Sequence, residues 1–311
     1  MTRTVDILLA TYNGAEHLPE LLGSILKQSF ADWRLIVRDD GSTDATLGIL
    51  EAFSREHGNR MVLLPRQSRN LGPCGNFAVL MEYSSADYVM FCDQDDVWLP
   101  EKITCSLEKM QELEAVCGEE KPLLVHTDMV IVDRGLQELA ASGHRYQRID
   151  PLHGARLPRL LVQNVVTGCT AMMNRRLCKM ALPIADAALM HDHWVGLVAS
   201  CFGGIAYVPK PMLLYRQHGG NQVGASSGSA LYLLRQVCSL ARVREVLSRN
   251  RKQAKAFYER FQVLLPEPDR AMLEAFITME QQGMLKRRIH IFHYGFRYSG
   301  MIRNIGWLVL C

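Results

Sequence analysis

The sequence contains no C-x-x-C pair, although nine cysteines are scattered at 74, 92, 105, 117, 169, 178, 201, 238 and 311. Zinc ribbons and thioredoxin-type redox centres need that spacing, so both are excluded. The cysteine count is odd and several lie in apolar runs, which reads as buried free thiols in a reducing compartment. No run reaches the ~18 apolar residues of a membrane-spanning helix. No secretory signal opens the chain, since "MTRTVDILLATYNG" turns polar after a short apolar run. The expected location is therefore the cytoplasm. Internal repeats and low-complexity tracts are also missing, which excludes solenoids and extended disorder.

What is present suits one large globular domain or a domain with an appendage. The chain has 311 residues, 48% apolar and 22% charged, enough for a packed core. Its net charge of +3 hides an uneven distribution. Residues 225–311 hold 14 Lys and Arg against 6 Asp and Glu, while residues 1–224 hold 21 against 26. An acidic body carrying a basic tail suggests an anionic partner for the tail. The Gly/Ser-rich stretch "GGNQVGASSGSA" (219–230) reads as a linker between them.

Strand and helix signals alternate four times in the first 120 residues. "VDILLA" (5–10), "DWRLIVR" (32–38), "RMVLLP" (60–65) and "DYVMFC" (87–92) read as strands, each followed by a helical pattern. The expected fold class is α/β, a mostly parallel sheet with helices on both faces. Residues 121–224 complete the catalytic body. Residues 225–311 are expected to be helical, with one long basic helix over 231–263 and another over 269–282 capped by Asp269.

Ligands of open α/β sheets sit beyond the carboxyl ends of the strands. Polar clusters fall at three of those ends: Thr11-Tyr12-Asn13, Asp39-Asp40-Gly41-Ser42, and Asp93, Asp95 and Asp96. Asp93 and Asp95 share a side if the segment is extended, and would bind a hard cation such as Mg²⁺ or Mn²⁺ bridging to a diphosphate; the alternative is a solvated acidic turn before a helix, with Asp96 stabilising the helix start. One of Asp39 and Asp40 could accept a base N–H; turn formation and helix capping explain only the residues after them. "RNLGPCGN" (69–76), with Arg69 and Asn70, suits a loop over a nucleotide or an ordinary Gly/Pro loop.

These motifs carry a resemblance. "VDILLATYNG", "RDDGSTD", "NLGPCGNF", "CDQDDVWLPEK", "VVTGCTAMMNRRL" and "HDHWVGLVASCFGGIAYVPKPMLLYRQHGGN" resemble family 2 inverting glycosyltransferases of the GT-A fold. Their combination is most similar to the rhamnosyltransferase-like branch that builds bacterial surface polysaccharides. The resemblance implies a metal on Asp93 and Asp95, with Asp93 also facing the nucleotide. It implies base recognition by Asp40, with Asp39 beside it, and nucleotide contacts from Thr11 and Asn13.

The family's catalytic base lies at the start of a later helix, in a pair written E-D or H-D. Here that pair is His191-Asp192, making Asp192 the base; otherwise Asp192 is simply an acid at a helix start. His193 separates the pair from Trp194, where the branch has an aromatic directly, which affects the acceptor-facing surface. Gly168, Thr170, His191 and Trp194 are expected near the donor sugar or acceptor, and His218 as a phosphate contact or metal ligand.

The activity so implied is transfer of a sugar, L-rhamnose from dTDP-L-rhamnose, to a glycan or lipid-linked acceptor. A UDP-hexose donor and a non-catalytic sugar-nucleotide-binding protein are the alternatives. Residues 287–311 are cationic and aromatic, suiting contact with anionic lipid on the inner face of the membrane. The alternative for that tail is packing on the catalytic domain or on a second copy in a homodimer. Nucleic acid is not an expected partner, because the aromatics fall on helix faces.

Overall fold

The computed structural model describes residues 3–65, 69–217 and 240–310. They form two units. The first comprises residues 1–143, 166–184 and 190–225; the second comprises 144–165, 185–189 and 226–311. The division expected at 224/225 followed the chain. The units of the fold instead draw two internal segments, 144–165 and 185–189, together with the C-terminal helices.

The first unit is built on a sheet of nine strands among the described residues, ordered β3-β2-β1-β4-β8-β6-β9-β5, with β7 beside β6. These strands are β1 (Val5–Thr11), β2 (Trp33–Asp39), β3 (Met61–Leu63), β4 (Tyr88–Asp93), β5 (Val97–Trp98), β6 (Leu123–Val132), β7 (Glu138–Ala140), β8 (Ala171–Asn174) and β9 (Gly204–Arg216). The N-terminal four run parallel. Beyond them β8 is antiparallel to both β4 and β6, while β9 runs parallel to β6. The expected parallel sheet thus becomes mixed in its second half.

β1, β2 and β4 are almost wholly buried, as strands covered on both faces must be, and their residues are mainly apolar, with Asp6 and Arg38 among the buried charged exceptions. The helices α1 (Leu18–Leu26), α2 (Thr46–His57), α3 (Gly72–Tyr83) and α4 (Lys102–Cys117) follow β1, β2, β3 and β5 respectively. α1 buries Leu18, Leu21, Leu22 and Ile25, spacing of one helical face.

Parallel pairing sets Thr11 opposite Asp39 and Ala10 opposite Asp93. The three polar clusters therefore lie on one sheet edge because register aligns the strand ends. Residues 143–147 and 157–160 form short helices, α5 and α6. α7 (Arg175–Ala181) and α8 (His191–Phe202) complete the catalytic body.

The C-terminal segment is helical: α9 (Leu240–Phe261), α10 (Glu267–Ile277), α11 (Met284–Tyr294) and α12 (Met301–Leu310). Phe257, Leu273, Phe276, Phe296 and Trp307 form its core. Asp269 is not the cap of α10. That helix opens earlier, with Pro266 at the N-cap and Pro268 in the first turn, where a missing N–H costs nothing. No helix among the described residues is long and apolar enough to cross a membrane.

Candidate active site

The ends of β1 and β2 are tied to each other by side chains. Asp39 Oδ2 accepts from Thr11 Oγ1 at 3.0 Å, and its Oδ1 from the backbone N–H of Gly41 (3.1 Å) and Ser42 (2.8 Å). The Ser42 hydroxyl also donates to Asp39. Gly41 sits at φ +97°, which favours glycine and lets the loop fold back onto this carboxylate. Asn13 Oδ1 accepts from Thr43 N at 2.8 Å, joining the first loop to the second.

Asp40 is equally engaged. Arg38 donates to its Oδ1 at 2.6 Å, and Gly72 N to its Oδ2 at 2.8 Å, with Leu71 N within 3.0 Å of both oxygens. Asn70 Nδ2 donates to the Asp40 carbonyl at 2.9 Å. Both acids are 3% exposed, so a base would have to share or displace these bonds. Arg69 is exposed at the mouth of the loop.

The acidic run is arranged differently from the extended segment expected. Residues 94–95 form a turn, so the alternation that would align Asp93 with Asp95 is broken. Asp93 and Asp96 instead flank the turn, and their carboxylate oxygens lie within 4.8 Å of each other and of Cys169 Sγ. Gln94 points back toward β1. It accepts from Tyr12 N at 2.8 Å and donates to Tyr12 O at 3.0 Å, as a further strand would. Arg216, buried at the end of β9, donates through Nε to the Asp95 carbonyl at 2.9 Å, and its backbone N–H reaches Asp96 Oδ1 at 3.3 Å.

Burial, then the charges of Asp95 and Asp192, push the Asp93 carboxyl up to about 7. Burial, then Asp95 and Asp93, raise Asp96 well above the usual carboxylate range. Asp96 Oδ2 is buried without a hydrogen-bond partner. Crowded, desolvated carboxylates with an unsatisfied oxygen fit a hard divalent cation, which would remove the repulsion and the orphan together. Asp93, Asp96 and the neighbouring Asp95 are the residues able to hold it. Burial, then Asp96, raise the Cys169 thiol well above its ordinary value, and its soft sulfur suits Mg²⁺ or Mn²⁺ less than carboxylate oxygens do.

Asp192 lies in the first turn of α8. Its Oδ2 accepts from Gly168 N at 2.9 Å and its Oδ1 from His193 N at 2.6 Å. These two bonds fix the orientation of the carboxylate. Gly168 is followed by Cys169, whose Sγ lies within 4.8 Å of Asp93 and Asp96, so the 168–170 turn links the helix start to the acidic turn. Gly168 cannot carry a side chain here, since a Cβ would sit 2.9 Å from His191 Nε2.

His191 and Trp194 do not have the surroundings expected of sugar contacts. His191 is stacked on Phe77 (ring centroids 4.0 Å apart) and edge-on to Phe91 (4.6 Å), and burial lowers it to about 3. It is a neutral ring packed in the core. Trp194 is 0% exposed and its indole N–H donates to the Ala181 carbonyl at 2.9 Å. One helical turn carries both a core face and a site face, and sequence alone did not separate them. Thr170 is also buried, with its hydroxyl on the Thr167 carbonyl at 2.7 Å. His218 lies outside the described residues.

Comparison with known proteins agrees with this arrangement. The model of "Glycosyl transferase family 2" matches residues 6–179. The chain is 29% identical over 229 residues to the dTDP-rhamnosyl transferase RfbG of Shigella flexneri, covering 70% of this chain and 74% of that one. It is 31% identical over 106 residues to the Escherichia coli glucosyltransferase WfgD, covering 34% and 40%.

Among solved structures, S. aureus TarS in complex with UDP-GlcNAc superposes with a TM-score of 0.59 at 15% identity, covering 94% of this chain and 80% of that one. The mannosyltransferase PcManGT from Pyrobaculum calidifontis, in complex with GDP-Man and Mn²⁺, gives 0.55 at 13% identity, covering 94% and 74%. These structural likenesses establish the GT-A fold. A match over more than half of the chain, on a sheet whose carboxyl edge gathers the acids, establishes the family: the protein belongs to glycosyl transferase family 2 and is a glycosyltransferase.

Proposed function

We propose that the protein is a metal-dependent inverting glycosyltransferase that moves L-rhamnose from dTDP-L-rhamnose to a glycan or lipid-linked acceptor in bacterial surface polysaccharide synthesis. The observation that carries the chemistry is the 168–170 turn, which bonds to Asp192 through the Gly168 N–H and brings Cys169 Sγ within 4.8 Å of Asp93 and Asp96. The donor assignment is supported by the similarity to RfbG.

In this reading Asp192 takes the proton of the acceptor hydroxyl as its oxygen attacks the anomeric carbon. The carbon–oxygen bond to the diphosphate breaks on the opposite side, inverting the centre without a protein nucleophile. Asp93, with Asp95 or Asp96, would hold a divalent ion such as Mn²⁺ or Mg²⁺, which would supply Lewis-acid stabilisation of the leaving diphosphate. Thr11, Asn13, Asp39, Asp40, Arg69 and Asn70 frame the nucleotide. Gly168 acts through its N–H, as the support of Asp192.

A second donor reading has its own support, because TarS was solved with UDP-GlcNAc and WfgD is a UDP-Glc enzyme. A thermal-shift panel decides between them. dTDP-L-rhamnose with Mn²⁺ is expected to raise the melting temperature more than UDP-glucose or UDP-GlcNAc, and EDTA to cancel the rise. A larger shift with a UDP-sugar transfers the assignment to that donor.

For the acceptor, peripheral contact with anionic lipid is supported by α11. Leu285 and Phe292 are 76% and 57% exposed on a helix that also exposes Lys286 and Arg288, and no Asp or Glu follows Glu280. Sedimentation with phosphatidylglycerol vesicles is expected to pull down the protein, and phosphatidylcholine vesicles to leave it in solution. The double substitution Leu285→Glu and Phe292→Glu is expected to abolish the binding. Packing on protein, including a homodimer, predicts no vesicle binding at all.

A further inference from the structure

Lys102 is a buried cation that the reaction just described does not use. It is 0% exposed in the first turn of α4, six residues after Asp96. Burying an ammonium group is costly unless it is paired, and here burial lowers it to about 8 despite several acids nearby. Its Nζ lies 4.2 Å from the centroid of the Trp98 ring and donates to the Cys169 carbonyl at 2.7 Å.

Cys169 is the middle residue of the single turn of 3-10 helix Gly168–Thr170. That turn meets both halves of the site. Its first residue donates a backbone N–H to Asp192 Oδ2, and the Cys169 thiol lies within 4.8 Å of Asp93 and Asp96. Lys102 therefore grips from behind the one backbone element that touches the base on one side and the metal-side acids on the other.

We propose that Lys102 is a positioning residue: by holding the Cys169 carbonyl it fixes the 168–170 turn, and through the Gly168 N–H it aims the Asp192 carboxylate at the acceptor hydroxyl. The inference rests on the reading of Asp192 as base. Thr170 is tied back to the Thr167 carbonyl, and Lys102 supplies a side-chain bond to the carbonyl in the middle of the turn. Releasing its carbonyl would let the Gly168 N–H swing and the carboxylate with it. Misplacement by a fraction of an ångström is enough to cost rate, because general-base transfer needs hydrogen-bond geometry.

The test is Lys102→Met, which keeps length and apolar bulk and removes the donor. Turnover is read as hydrolysis of dTDP-L-rhamnose with Mn²⁺, and donor affinity by calorimetry with dTDP and Mn²⁺. The expected result is a kcat reduced roughly 10–100-fold with dTDP affinity within about twofold of wild type. In the Asp192→Asn background the same substitution is expected to add nothing. Hydrogen exchange of the metal-free protein is expected to show faster exchange at the Gly168 amide.

A loss of dTDP affinity equal to the loss of kcat, or losses that multiply in the double variant, would overturn the proposal. If Lys102→Met does not fold, Lys102→Arg serves. Its larger head group displaces the donor, and it must lower kcat alone or the proposal fails. The two readings separate cleanly. An active Asp192→Asn removes the base assignment, whereas an inactive Asp192→Asn with Lys102→Met at full kcat removes only the role of Lys102.

Discussion

Asp192→Asn is expected to lower kcat by about 10²–10⁴-fold while leaving the affinity for dTDP with Mn²⁺ within about twofold. The size follows from what is lost. Asparagine keeps the shape of the side chain and one carbonyl oxygen, so it can still accept from the Gly168 or the His193 N–H that Asp192 now engages. It has no basic oxygen for the acceptor proton. The donor is expected to stay bound, because the proposed nucleotide contacts come from the ends of β1, β2 and β4. Single-turnover transfer and calorimetry on the same preparation make the comparison. An equal fall in rate and affinity would mean that the carboxylate binds the donor rather than acting as a base. Restoration of transfer by a strong exogenous nucleophile such as azide, which needs no deprotonation, would support the base role further.

Asp93→Asn is expected to weaken Mn²⁺-dependent binding of dTDP by ~100-fold or more, because it removes one of the few carboxylates able to hold the ion. The same change is expected to stabilise the metal-free protein at pH 8. Asp93 is pushed up to about 7 in the folded chain, chiefly by burial, whereas an unfolded chain releases its proton near the ordinary carboxylate value. The native state therefore holds an extra proton between those values, and its stability falls as pH rises from about 4 toward 7. Above that range wild type carries the full penalty and the asparagine variant does not. The gain is on the order of 1 kcal/mol, since the carboxyl is not sealed from solvent.

Below pH 7 the proton competes with the metal, so wild-type Mn²⁺ affinity is expected to fall by up to ~10-fold per pH unit. Thermal melts and Mn²⁺ titrations across pH 5.5–8.5 read both effects. A variant less stable than wild type at pH 8, with unchanged Mn²⁺ affinity, would contradict the assignment of Asp93 to the metal. Function and stability thus oppose each other at this residue, as expected where charge is gathered for a ligand.

Parts of this architecture were legible before any coordinates. The apolar runs of β1, β2 and β4, each ending in polar residues, read as buried parallel strands with a site at their carboxyl edge, and register puts them there. Asp192 at the start of a helix came from the H-D pair and the family resemblance. Other features had no signal along the chain. Whether "CDQDD" continues a strand or turns at Gln94 depends on β1, since Gln94 is held by the backbone of Tyr12. His191 and Trp194 looked like site residues because they flank the base, but a helix start presents some side chains to the cleft and others to the core. Cys169 passed for one more buried thiol.

Local sequence determined the elements of this protein and the chemistry available at their ends, because hydrophobic period and turn residues act over a few positions. Which acids crowd together, which histidine is sealed among phenylalanines and which lysine holds the 168–170 turn were decided only when β4, that turn and α8 came together. Desolvation and hydrogen-bond direction belong to that assembled site, where residues 93, 102, 169 and 192 are neighbours only through the fold.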